Sequence, residues 1–429
     1  MKVLALGTYP IRRPVHGGQR RTSQIGRHYQ AHGIEYRHAC VYAPGHYGDD
    51  DVSEDDYPYS STGGIYSDTP FIEDLGSGVF AATQYGPLAH FRALFEGYAP
   101  DVIQIEQPFM WPLVKQLRAE GICADAKLLY SSHNFEAPLK REILEGVQVD
   151  RKRVAEVEAM VLQIERELAL ACDLVVAVSQ ADADEYKALN PRVATLIIRN
   201  GAERPGGEHR PPDGREMEAN EYLFFVGSAY PPNVDGFKRM VLGGTLYGFP
   251  PKKLFAICGG ASDGIYASDL YMPHGEAYAD RVHFFPRPSD PELAWLRNQC
   301  KGVVLPITKG GGSNLKTAEA LSSGRWVVST DLAMRSFEDF IDEPGVIIAN
   351  TPGQFQQAML DVIYGKPLKL TRAQMHRREG LFWDRLLDNG KLAQRVQALV
   401  SVETLEPQIK AAPVRKAPAR NASIDKAAS

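Results

Sequence analysis

Between Lys309 and Gly324 the chain reads Lys-Gly-Gly-Gly-Ser-Asn-Leu-Lys-Thr-Ala-Glu-Ala-Leu-Ser-Ser-Gly. These residue types, in this order, can hold an anion. The preceding apolar run, Gly302–Leu305, has the pattern of a buried strand in a parallel sheet. Ser313 or Asn314 is a natural N-cap for a helix that begins at Leu315, carries Glu319 and stops at Gly324. Glycines such as Gly311 and Gly312 let backbone N–H groups approach a phosphate, and the helix end adds about half a positive charge. Lys309 and Lys316 flank the turn with full charges. No Gly-Lys-Ser/Thr closes the loop at P-loop spacing, so it reads as an anion site rather than a nucleoside triphosphatase signature.

Other segments have chemistry of the same kind. Gly17-Gly18 precedes a helical pattern and forms a second anion-cradle candidate. It lacks the GxGxxG spacing, and no acidic residue ends the second strand, which disfavours a dinucleotide site. Ser132-His133-Asn134 follows a strand, which places His133 at the strand's carboxyl end, facing any cleft. A lone histidine is more often structural, so position rather than type makes His133 a candidate. Asn200-Gly201, Gly227-Ser228 and Gly259-Gly260 also follow strands. Tight strand-to-helix turns explain each glycine singly; converging on one cleft, they suit a ligand that carries phosphates.

These groups need strands to position them. Apolar runs at Val3–Leu6, Tyr36–Tyr42, Val102–Ile105, Leu128–Ser131, Leu174–Val178 and Leu196–Arg199 form one series. Tyr222–Val226, Leu254–Ile257, Val282–Phe285, Gly302–Leu305, Trp326–Ser329 and Val346–Ile348 form a second. Strands alternating with helical patterns, in two series, predict an α/β protein of two doubly wound, Rossmann-like domains. The Pro- and Gly-rich stretch 204–214 is the candidate linker. The expected organisation is an N-terminal domain over 1–205, a C-terminal domain over 206–374, a helical segment over 375–405 and a disordered tail over 406–429. Phe382-Trp383-Asp384-Arg385 in the helical segment can pack against either domain. The acidic run 49–56 opens a polar insertion reaching about Ser77 and reads as a solvated loop.

Composition narrows the function classes. The chain has 429 residues, 44% hydrophobic and 24% charged, as in an ordinary globular protein. A net charge of −5 gives no electrostatic case for nucleic-acid binding. No apolar run approaches the roughly 18 residues of a membrane span, which leaves peripheral contact as the only membrane association expected. The apolar run after Lys2 is too short for a signal-peptide core and reads as the first strand. Five widely spaced cysteines, with no CxxC, are neither a disulfide framework nor a zinc site and point to a reducing, cytoplasmic setting.

Taken in order, these motifs resemble the retaining glycosyltransferases of the GT-B fold, family 4 in particular, over roughly residues 1–400. The resemblance is strongest in Phe224–Gly227, Pro232–Gly236, Gly259-Gly260 and Gly311–Gly324 followed by Trp326–Thr330. Gly17-Gly18, Ser132-His133-Asn134, Ala177-Val178-Ser179 and Asn200-Gly201 extend it into the N-terminal half. It implies a nucleotide-sugar donor as substrate, a glycan or glycoconjugate acceptor, no cofactor and no metal. Glu319 matches the family glutamate that holds the nucleotide ribose, and His133 the residue beside the transferred sugar. Gly17, Gly18, Asn200, Gly227, Ser228, Gly259, Gly311, Gly312, Ser313, Asn314 and Leu315 fall at donor-binding positions.

Two departures stand out. Gly311 occupies the place of the family's first glutamate, which shifts sugar recognition to backbone amides around Gly312-Ser313-Asn314. The Arg and Lys many members carry after Gly227 are missing, leaving Lys309, Lys316 or Arg199 to neutralise the diphosphate. The implied activity is a metal-independent hexosyl transfer of bacterial type, serving polysaccharide or glycoconjugate synthesis. A sugar-nucleotide 2-epimerase and a catalytically silent partner of the same fold are the alternatives. The epimerase needs acid/base carboxylates in the cleft, and none is evident in the sequence; the missing first glutamate is the main support for a silent partner.

Overall fold

The computed structural model describes residues 1–59, 69–207, 209–212, 217–243, 246–249 and 254–401. The tail expected over 406–429, part of the linker and part of the polar insertion lie outside the described residues. The chain builds two parallel sheets. The first contains β1 (Lys2–Gly7), β2 (Glu35–Tyr42), β3 (Tyr57–Pro58), β4 (Val102–Ile105), β5 (Lys127–Ser131), β6 (Leu174–Ala177) and β7 (Thr195–Ile197), in the order β3-β2-β1-β4-β5-β6-β7. The second contains β8 (Tyr222–Val226), β9 (Leu254–Cys258), β10 (Val282–Phe285), β11 (Gly302–Leu305), β12 (Trp326–Ser329) and β13 (Val346–Ile348), in the order β10-β9-β8-β11-β12-β13. Every predicted strand is present, within one or two residues at its ends. Central strands such as β4, β6 and β11 are buried throughout because helices cover both faces.

In each sheet the order reverses beside the first strand. β1 pairs with β2 on one side and β4 on the other, and β8 with β9 and β11. Helices leave such a point in opposite directions, so a crevice opens at the carboxyl ends of the flanking strands. Gly7, Glu106, Gly227 and Pro306 mark those four ends, and this geometry places the site.

The segment read as a polar insertion is more ordered than its composition suggests. β3 adds an edge strand beside β2, and helix Glu73–Thr83 buries Leu75, Gly76, Ser77 and Gly78. Of the acidic run, Asp55 pairs with Arg37 at 2.5 Å and Asp50 with Arg13 at 3.0 Å, while Asp56 accepts from the Cys40 amide at 3.0 Å.

The C-terminal helical pattern is three helices, Arg372–Glu379, Trp383–Asn389 and Leu392–Val400, interrupted at Gly380 and at Gly390-Lys391. Lys391 has φ +54°, which ends one helix and redirects the chain. Trp383, 3% exposed, is fixed beside the linker: its amide donates to the Ala202 carbonyl, and the Ala202 amide donates to that of Leu381. The indole lies so close that a Cβ on Gly201 would sit 2.8 Å from its Cδ2. Leu381, Phe382, Trp383, Leu387, Leu392 and Val396 join one core with Val3 and Ile25 of the first domain and Tyr222 and Phe224 of the second. The segment therefore serves both halves. Trp383→Ala should lower stability by about 3–5 kcal/mol, the scale of a deleted buried tryptophan. Scanning calorimetry checks this, and a melting temperature equal to wild type contradicts the packing described.

Candidate functional site

A cleft of about 850 Å³ runs between the carboxyl ends of the two sheets. Its C-terminal wall is the Lys309–Lys316 loop. Arg335 determines the loop's shape: Nε donates to the Gly312 carbonyl at 2.6 Å, Nη1 to Gly310 at 2.5 Å and Nη2 to Gly311 at 2.8 Å. With three successive carbonyls held by one guanidinium, the amides of Gly311, Gly312 and Ser313 make no hydrogen bond among the described residues. Gly310 at φ +115° and Gly312 at φ +64° adopt the left-handed backbone this requires. Asn314 then caps helix Leu315–Ser322, its side chain accepting from the Lys316 amide at 3.0 Å. The loop thus leaves unbonded amides at Gly311 and Ser313, both of which line the cleft, beside a helix N-terminus, which is the chemistry of an anion site.

The predicted residues separate into two groups. Gly17, Gly18, His133, Asn200, Gly227, Ser228, Lys309, Gly311, Ser313, Asn314, Leu315, Lys316 and Glu319 all line the cleft. Gly259 and Gly312 do not, and both are glycines for backbone reasons. Gly259 has φ +83°, and a Cβ there would meet the Gly227 carbonyl at 2.4 Å. A Cβ on Gly312 would meet Asn134 Oδ1 at 2.2 Å, across the cleft. Gly227 also has its amide committed, donating to the Cys258 carbonyl at 3.0 Å, so it shapes the wall without offering that donor. Gly18 allows the approach of Tyr9, whose hydroxyl would lie 2.1 Å from an added Cβ.

Of the cations open to choice, Arg199 is engaged elsewhere. It pairs with Asp339 at 2.6 Å and packs over the Phe337 ring. Lys316 instead donates from Nζ to Asn233 Oδ1 at 2.5 Å, and Asn233 Nδ2 reaches the carbonyl and hydroxyl of Ser228 at 3.1 Å. This brings Lys316 to the turn after β8 where the sequence lacks a cation. Burial pushes its ammonium down to about 8, opposed by Glu319 nearby. Glu319 is itself paired with Arg297 at 3.4 Å.

On the N-terminal wall His133 uses both ring nitrogens. Nε2 lies 3.0 Å from Glu106 Oε2 and Nδ1 3.3 Å from the Tyr9 hydroxyl. Burial lowers the imidazole's affinity for a proton, and the hydrogen bond to Glu106 only partly offsets this. For Glu106, burial favours the neutral acid, but hydrogen bonds from His133 and Gln104 outweigh it and hold the carboxyl below its ordinary range. The pair is therefore a neutral imidazole donating to a carboxylate. His16 caps helix Gly17–Ala31, accepting from the Gln19 amide at 3.4 Å. Burial, with His133 and Arg20 nearby, pushes His16 down to about 4, so the lone pair that makes the cap is preserved at neutral pH.

Several contributors gave no sequence signal. Arg21, 1% exposed, sits on a helical pattern where a charge ordinarily faces solvent. It donates to the Ile198 carbonyl at 2.9 Å and to Asn200 Oδ1 at 3.2 Å, and its Nε and Nη2 have no partner among the described residues. Asn200 in turn donates from its amide to Ser313 Oγ at 3.1 Å and from Nδ2 to the Ser313 carbonyl at 2.7 Å. This chain of contacts joins the two domains at the cleft floor. Carboxyl groups absent from the sequence reading also line the cleft: Glu136 and Asp74, the latter bound to Lys140 at 2.6 Å. Burial pushes the Glu136 carboxyl up to about 7.

Solved structures share this architecture along their whole length. The chain is similar to sucrose-phosphate synthase from Thermosynechococcus elongatus, with 16% identity, a TM-score of 0.66, and coverage of 93% of this chain and 99% of that one. The fold is GT-B. Anabaena HepE in complex with UDP and glucose matches with 15% identity, a TM-score of 0.59 and coverage of 93% and 100%. The pneumococcal O-GlcNAc transferase GtfA in complex with UDP and GlcNAc matches with 10% identity, a TM-score of 0.58 and coverage of 92% and 99%. No family model and no curated protein matches the sequence. Among the described residues, no helix is long and apolar enough to cross a membrane.

The Glu136 carboxyl titrates higher in the folded chain than its ordinary value of 4.5. Between those values the folded state binds more protons than the unfolded state, so this group's contribution is complete below about pH 4.5 and is lost as pH rises through 7. Glu136→Gln should remove that part of the slope. Melting curves from pH 4.5 to 8 should converge at the acid end, with the variant gaining relative to wild type toward pH 8; parallel curves contradict the assignment.

Proposed function

We propose that this chain is a glycosyltransferase that moves a hexosyl group from a nucleotide-sugar donor to a glycan or glycoconjugate acceptor with retention of configuration, as in family 4. The observation that carries the reading is the Arg335-held loop. Its free amides, helix N-terminus and adjacent Lys316 share one cleft with His133, which the buried Glu106 holds from behind. The solved complexes of HepE with UDP and glucose and of GtfA with UDP and GlcNAc support the choice of donor class.

In this reading the C-terminal wall holds the nucleotide, the N-terminal wall takes the acceptor, and Gly17 and Gly18 close on the donor from the N-terminal side. Breaking the sugar–phosphate bond builds positive charge on the sugar and negative charge on the leaving diphosphate. Amides of Gly311 and Ser313, the helix N-terminus after Asn314, Lys316 and Lys309 stabilise the latter, and Arg21 supplies a further buried cation. Glu319 accepts from the ribose hydroxyls, with Arg297 fixing its carboxylate. His133, held by Glu106, meets the transferred sugar. Its 3.3 Å contact with Tyr9 is the weaker of its two hydrogen bonds and the one a sugar hydroxyl displaces. Attack from the face the diphosphate leaves needs no enzymic nucleophile, and the cationic wall takes the role of a metal. Five free thiols fit work in the cytoplasm.

A panel of nucleotide sugars, with mixed glycan acceptors and without acceptor, tests the activity, and the anomeric configuration of the product tests retention. Transfer to an acceptor supports the reading. Epimerised donor formed without acceptor, or no turnover with any donor, overturns it. Lys316→Met should lower kcat more than tenfold with a smaller change in donor affinity, because its charge acts mainly as the diphosphate leaves. His133→Ala should lower kcat about 10²-fold, and it should also lower the melting temperature because the buried Glu106 carboxylate loses that partner. Glu319→Ala should weaken nucleotide binding by about 2–4 kcal/mol. Variants that keep wild-type kinetics and affinity contradict these roles.

A further inference from the structure

Far along helix Gly17–Ala31 from the cleft, two histidines one turn apart face the C-terminal helical segment. His28 Nδ1 lies 3.6 Å and His32 Nε2 3.4 Å from Asp388 Oδ1, at the end of helix Trp383–Asn389. The three ligand atoms all lie within 4.8 Å of one another. These distances are long for a charge-assisted hydrogen bond, which closes to about 2.7–2.9 Å. The two His–Asp separations are instead close to the edge of a zinc tetrahedron, where bonds of about 2.0–2.1 Å put neighbouring ligand atoms roughly 3.3–3.4 Å apart.

Proton placement favours the same conclusion. His32 Nδ1 lies 2.9 Å from the His28 carbonyl, which can only accept, so Nδ1 carries the hydrogen and Nε2 is the ring nitrogen left facing Asp388. Such an Nδ1–H···O=C bond is the usual outer-shell support of a metal-bound histidine. His28 is 7% exposed, and its Nε2 has no partner among the described residues.

We propose that His28, His32 and Asp388 form a binding site for a zinc-type divalent transition metal, with water completing the shell on the exposed Asp388 side. Two imidazoles and one carboxylate suit such an ion better than magnesium or calcium, which take oxygen ligands. The ion would clamp the C-terminal segment to the helix whose other end carries Gly17 and Gly18. It would serve the domain arrangement, not the chemistry in the cleft.

Calorimetric titration of the tag-free, chelator-stripped full chain with zinc chloride tests the site, alongside melting curves with and without zinc. One equivalent should bind and raise the melting temperature, since the three ligands come together only in the folded chain. His32→Ala and Asp388→Asn alter partly exposed side chains, and each should weaken zinc binding at least tenfold. Both should melt like wild type in chelator. No zinc binding, or equal affinity in wild type and both variants, overturns the proposal and leaves the cluster as a histidine–carboxylate contact.

Discussion

Arg335 binds the carbonyls of Gly310, Gly311 and Gly312 at once, and the chemistry of the cleft depends on that contact. A run of glycines has no preferred conformation and loses more backbone entropy on ordering than any other sequence. One planar guanidinium with several fixed donors can hold three consecutive carbonyls on one side. The amides are then left to the other side, next to a helix N-terminus. A side chain at Gly312 would collide with Asn134 from the opposite domain, so the same glycines also let the two walls approach.

The second constraint is topological. Both sheets reverse their order beside their first strand, so each offers a crevice at the same relative place, and the chain sets the two crevices face to face. Arg21, Asn200 and Ser313 connect the walls at the floor, and Glu142 accepts from the Gly310 amide at 3.1 Å from the other side. The linker is not free either. Arg204 pairs with Asp384 at 2.7 Å, and Arg210 lies 3.9 Å from Glu292. Any opening of the cleft must therefore break a small, definite set of polar contacts, which favours two discrete arrangements over continuous flexing.

Much of this was legible in the sequence, for physical reasons. Parallel strands buried on both faces become unbroken apolar runs, and all twelve expected runs are strands. The loop from Lys309 to Gly324 and its Asn314 cap were readable because turn and cap chemistry is local. β3 was missed because two residues at an acidic, proline-bearing edge give no periodic signal. Arg21 was hidden because its partner Asn200 is 179 residues away, and charges on a helical pattern normally face water. Arg335, Glu106 and Tyr9 were hidden in the same way, each acquiring its role only through a contact between distant segments. Gly259 is a different case: its φ of +83° and its close approach to the Gly227 carbonyl give the position a backbone reason to be glycine whether or not a ligand lies near.

In the proposed function the loop held by Arg335 binds the diphosphate of a nucleotide sugar. Hydrogen exchange read by mass spectrometry, with and without saturating UDP-glucose or another donor that binds, measures this directly. Slowed exchange is expected across 310–316 and at the start of the helix beginning at Gly17, with the outer strands of both sheets unchanged. A donor that binds while exchange across 310–316 stays the same, with protection appearing elsewhere, would contradict it.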